Sequence, residues 1–228
     1  MTYFEGFPFH FDLQRALDTE EITVVNLNTD AETPAMLVTG NGAFRVNIDR
    51  GGANNWTADA VLPLTEGLNR LEVYHLTPVK DYLFASNILL TKKKKCSGVY
   101  LKWHNRNGGF SHYLFDEFYV EQTKGKDIGQ ILKSDFANIS DKTGTHHSIG
   151  KKTDGNLNIK ARYEHSDYET LKDIFSSPFV QMYTSRTAHT EGIFIDVGVN
   201  GSISYSNKRG KNEINLSVEL PGLITARL

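Results

Sequence analysis

Apolar positions along the chain recur mostly with a period of two. In Ala43–Asp49 (AFRVNID), Phe44, Val46 and Ile48 alternate with polar neighbours, as a strand with one buried face requires. Asn69–Thr77 repeats the pattern, with Leu71, Val73 and His75 on one face. Ile22–Asn28, Ala35–Thr39, Trp56–Leu64 and Tyr82–Thr91 are further short runs rich in β-branched and aromatic residues. Turn residues at Asn41-Gly42, Arg50-Gly51-Gly52 and Glu66-Gly67 separate them. Six strands so spaced predict a β-sandwich-like module over residues 1–95. FDLQRALDTEE, at 11–21, carries a weaker pattern of one or two helical turns.

The pattern then changes. TKKKKCSG (91–98) reads as a solvated loop between modules, since its lysines have no interleaved aromatics. Next come two aromatic strands, Val99–His104 and Phe110–Phe115, flanking an Asn-Arg-Asn-Gly-Gly turn. Asn107, Gly108 and Gly109 tolerate the positive φ angles of a tight hairpin, with Trp103 and Phe110 as its anchors. Val99, Leu101 and Trp103 share one predicted face, which would pack inward; the tip at Asn105–Gly109 would stay free for a neighbour. Residues 122–155 are polar and predict a loop, or an arm that orders against a neighbouring subunit.

SDYETLKDIFSSP has a capping-box spacing from Ser166 to Glu169. Leu171, Ile174 and Phe175 fall on one helical face that would pack on a C-terminal sheet, and Pro178 closes the segment. Strands are expected at Phe179–Tyr183, Gly192–Val199, Ser202–Asn207 and Glu213–Glu219. The fold class is therefore mainly β. An N-terminal β-sandwich-like module precedes an α+β module over 96–228 with a β-hairpin, one capped helix and a C-terminal antiparallel sheet.

Composition narrows function more by exclusion than by indication. A formal net charge of −2 gives no bulk electrostatic drive towards nucleic acid. The single cysteine, Cys96, excludes an intramolecular disulfide and a cysteine-based zinc site. No apolar run approaches the length of a membrane span, and the first residues lack the blocks of a signal peptide. The eight histidines include no compact ligand spacing. His146-His147 reads as a solvated loop pair, and His104 and His112 as hairpin residues. Nucleophile elbows and phosphate-binding loops are absent, so neither a cofactor, a metal nor a catalytic residue is assigned. A hydrolase built on Asp116 or Glu117 with His112 is the weakest reading.

Three pieces in order carry a resemblance: WHNRNGGFSHYLF (103–115), YETLKDIFSSPFVQMY (168–183) and IFIDVGVNGSISYSNKRGKNEINLSVEL (193–220). Over roughly residues 99 to 220 the chain resembles tail-associated virion proteins, of distal-tail or tail-hub type, in phages of Bacteroidetes-type bacteria. The resemblance implies a non-enzymatic structural protein of the virion, made in the host cytoplasm. It would form a homo-oligomeric ring at the tail tip, hub or collar. Its partners would be copies of itself and other tail proteins, with no specific nucleic acid and no membrane span. The alternative is a carbohydrate-binding, host-recognition module. In that reading Tyr100, Trp103, Phe110, Tyr113, Phe115, Phe118 and Tyr119 stack on a host glycan.

Overall fold

A computed structural model describes residues 1–14, 19–39, 42–49, 62–79, 81–94, 97–132, 146–184, 192–206 and 212–226. The molecule is mainly β, with one short α-helix among the described residues. Strands β1 (Thr2–Phe4), β3 (Thr19–Asn26), β4 (Ala31–Glu32), β5 (Met36–Thr39), β7 (Gly67–Leu76) and β8 (Tyr82–Lys93) form a six-stranded sheet. All pairs in it are antiparallel except β1 with β8. Strands β2 (Phe9–Gln14) and β6 (Ala43–Asp49) form a second, two-stranded sheet that shares its core.

Alternation explains the sandwich-like packing. On β7 the side chains of Asn69, Leu71, Val73 and His75 are all buried, and on β6 Val46 and Ile48 are. The apolar ones meet Phe9, Phe11 and Leu13 from β2 in one cluster. The helical turns expected in 11–21 give way to strand at both ends of that stretch. Phe11 and Leu13 are needed on one face of β2, and only a period of two places them there. The strand expected at Trp56–Leu64 lies outside the described residues up to position 61; Leu62 and Leu64 are buried in this core.

A second cluster is built from β9 (Val99–His104), β10 (Phe110–Phe115), β13 (Val180–Thr184) and β14 (Ile193–Asp196), ordered β10-β9-β13-β14. Against it lies a sheet ordered β11-β12-β16-β15: β11 (Phe118–Leu132), β12 (His146–Arg162), β15 (Gly198–Ser204) and β16 (Glu213–Ala226). Leu157, Ile159, Ala161, Ile214, Leu216 and Val218 are its buried face. The two clusters are bridged by β1, whose successive side chains point opposite ways: Tyr3 enters the first core and Phe4 the second.

Local structure departs from expectation in three further places. The predicted loop at 122–155 is, where described, a long antiparallel pair of β11 with β12. Residues Phe118 to Ile128 of β11 are all exposed, so no apolar alternation marks the strand in the sequence. The capping box does not form, because Ser166 lies inside a 3-10 turn, His165–Asp167, rather than at an extended cap position. Helix α1 (Tyr168–Lys172) starts without a side-chain cap and runs into a second 3-10 turn, Asp173–Phe175. That tightening keeps Leu171 and Ile174 in the core but turns Phe175 outwards, where it is 41% exposed.

Close backbone approach is decisive at Gly201, where β15 meets β16. A Cβ there would land on the Asn215 carbonyl oxygen and 2.9 Å from Leu216 Cα. Gly201→Ala is expected to lower stability by about 2 kcal/mol, the usual scale for forcing extra atoms into a packed site. Urea denaturation checks it.

Candidate functional site

The aromatic hairpin gathers rings on both of its faces. Its register pairs Trp103 with Ser111, Leu101 with Tyr113 and Tyr100 with Leu114. Trp103, Leu101, Tyr113 and Phe115 share one face, and Tyr100, Lys102, His112 and Leu114 the other. Both faces are covered. Phe7 stacks on Tyr100 at 4.8 Å between ring centroids, and the Tyr100 hydroxyl donates to the Pro8 carbonyl at 2.8 Å. The expectation of one inward face is thus corrected: the incoming segment before β2 roofs the second face.

Asn105 organises the turn. Its side-chain oxygen accepts from the amides of Asn107 at 3.0 Å and Gly109 at 3.1 Å, and Gly108 takes a φ of +84°. This is an Asx-type turn, legible in principle from an asparagine two residues before Asn-Gly. Arg106, Asn107 and Gly108 at the tip are exposed, but the Arg106 side chain is held within the chain. Arg106 reaches the 3-10 turn after α1, with Nε 2.8 Å from Asp173 Oδ1 and a terminal nitrogen 3.2 Å from Glu169. Hydrogen bonding and charge from Asp173 hold the guanidinium pKa above its ordinary value. Glu169, the expected capping partner of Ser166, is therefore engaged in this latch.

Beside the latch is a cavity of about 290 Å³ lined by Arg106, Asn107, Phe110, Ser111, His112 and Asp173, among others. Its carboxylates Glu169 and Asp173 are already engaged by Arg106. His112 is buried, and neither ring nitrogen has a hydrogen-bond partner among the described residues. It stands edge-on to His10 at 4.5 Å between centroids. Burial, then the neighbouring His10, lowers the His112 pKa well below the imidazole value. Burial, then Arg45, lowers His10 to about 4. Both are neutral near pH 7. Among the described residues no group of three or more His, Cys, Asp or Glu is placed to hold a metal ion.

The remaining sequence candidates disperse. Glu117 pairs with Arg162 at 2.8 Å. Asp116 lies four residues from His112 along extended chain, roughly 13 Å away. Lys92 pairs with Glu5 and Lys94 with Glu66, while Lys93 sits over the rings of Phe4 and Tyr113, so the described lysines of the run make no single patch. Cys96 lies outside the described residues, as do the side chains of His146 and His147.

Of the seven aromatics offered as a stacking platform, Tyr100, Trp103, Tyr113 and Phe115 are buried. Phe110 is enclosed by His10, His104, Phe179, Arg45 and Lys102. Phe118 and Tyr119 alone are open, at 53% and 60% exposure, and they belong to β11, beyond the hairpin.

Strands β11 and β15 are the two edges of their sheet and have no further pairing strand among the described residues. The face of this sheet away from the core carries cross-strand rows that sequence reading missed. Phe118, Lys160, Asn215 and Ser202 form one row, and Val120, Asn158, Ser217 and Asn200 the next. A groove of about 450 Å³ is lined by every residue of these two rows except Val120. Comparison with known proteins finds no matching family model, no curated relative and no similar solved structure.

Proposed function

We propose that the chain is a non-enzymatic structural subunit that assembles with copies of itself into a ring. In this reading the ring belongs to the tip, hub or collar of a bacteriophage tail, held in the virion between other tail proteins and host-facing parts. The observation that carries the self-assembly is the sheet whose two edge strands have no further pairing strand among the described residues. β11 offers a long edge, and β15, Gly-Val-Asn-Gly-Ser-Ile-Ser, offers one with no charged residue or proline to block pairing. Placing β11 of one protomer beside β15 of the next is a head-to-tail contact, and such contacts close into rings when the rotation permits. The order of the pieces at 103–115, 168–183 and 193–220 supports the tail setting.

The test is native mass together with amide exchange. The expected mass is a single multiple of 25.6 kDa, with amides of 118–132 and 198–204 exchanging more slowly in the assembly than in dilute monomer. A strict monomer up to the highest soluble concentration, or equal exchange in both forms, overturns the reading.

A further inference from the structure

We propose that the outer face of the β11-β12-β16-β15 sheet binds a neutral, extended glycan, with Phe118 as its stacking residue. The ligand would lie on the face of the sheet, whereas ring assembly pairs its edges, although Phe118, Asn200 and Ser202 are carried by the edge strands themselves.

Residue choice on this face is unusual for a sheet. Asparagine is disfavoured in strands, yet Asn158, Asn200 and Asn215 occupy neighbouring positions on three strands, with Asn156 next along β12. Positions that break local propensity without a packing reason concentrate at functional sites. Packing supplies none here: the side chains of Asn158, Asn215, Ser202 and Ser217 make no hydrogen bond within the described residues, although each lines the groove.

Charge selects the ligand class. Lys160, a cation of the groove, is neutralised by Glu213 at 3.0 Å. On the neighbouring row Glu219 accepts from Asn200 at 3.1 Å. A phosphate backbone would need uncompensated Lys or Arg, which the described lining of the groove lacks. A protein partner would need a cluster of apolar anchors, and Phe118 is the one large exposed apolar side chain in the described lining of the groove. Amides and hydroxyls each donate and accept, as sugar hydroxyls do, and an exposed aromatic ring suits the apolar C–H face of a pyranose. The groove combines these two features, and Ile159, Gly201, Leu216 and the paired Lys160 complete its lining.

The next residue supplies an internal control. Tyr119 is about as exposed as Phe118 but pairs with Ile159, so it points to the opposite face. The full-length protein is screened on an array of neutral oligosaccharides, and cellohexaose, maltoheptaose and the best array hit are titrated calorimetrically. At least one neutral glycan is expected to bind. Phe118→Ala and Asn215→Ala should each weaken it by about tenfold or more, while Tyr119→Ala leaves it within about twofold. Thermal melting confirms that each variant is folded. The proposal is overturned by no neutral glycan bound at about millimolar concentration, by retention on heparin alone, or by equal losses in Phe118→Ala and Tyr119→Ala.

Discussion

Trp103→Ala is expected to lower stability by about 4 kcal/mol, because it empties the site of the largest fully buried side chain among the described residues. Trp103 sits on β9 between Ser111 of β10 and Val180 of β13, so its removal opens a cavity where three strands meet. The strands hold their backbone hydrogen bonds and cannot collapse to fill it. Trp103→Phe separates shape from polarity. The indole nitrogen has no hydrogen-bond partner among the described residues, so phenylalanine sacrifices volume but no bond, and leaves no acceptor unpaired. Its cost should be about half that of alanine or less. Urea unfolding of the three proteins reads this directly, and equal losses for Ala and Phe would show that the indole N–H, not the volume, is what matters.

Acid is expected to weaken the fold through the His10–His112 contact. In an unfolded chain a histidine ionises near pH ~6.5. In the fold, burial first and Arg45 second hold His10 at about 4. Between those values the unfolded chain binds more protons, so the stabilisation is complete above about pH 6.5 and is lost as pH falls towards 4. His10 alone contributes a loss of about 1–2 kcal/mol between roughly pH 7 and pH 5, after allowance for partial solvent screening. His112 acts in the same direction, since burial also lowers its pKa. The surroundings offer little relief: Arg45 and Lys102 flank Phe110 next to the pair, and Asp12 is committed to Arg45 at 2.9 Å. Urea midpoints measured from about pH 7 to about pH 5 should therefore fall, and His10→Phe should flatten the slope. A wild-type profile flat over that interval would contradict the assignment. Because these histidines join β2 to β10, the first acid-induced opening is expected between the incoming segment and the hairpin.

The strand segments, the hairpin and the short helical segment were legible in the sequence because each rests on neighbours a few residues apart. Alternation in Asn69–Thr77 placed Leu71, Val73 and His75 on one buried face, and Asn-Gly-Gly marked the turn. The pairing of 123–132 with 146–155 was not legible, because strands largely exposed on both faces carry no apolar period. Phe175 was misplaced because a change from α to 3-10 geometry rotates a helical face, and nothing in the local pattern announces that change.

Sequence alone thus determined where the chain would extend and turn, since backbone preference and alternation are local. Only the tertiary structure decided what those strands face. Arg106 finds Asp173 across 67 residues, and His10 meets His112 from a different sheet. Asn158, Ser217 and Asn200 form one row because pairing register, set by the core-facing sides of β12, β16 and β15, aligns their outer ones. The aromatic hairpin that looks like a binding surface in the sequence is buried on both sides, and the open surface is a polar one whose residues are scattered along the chain.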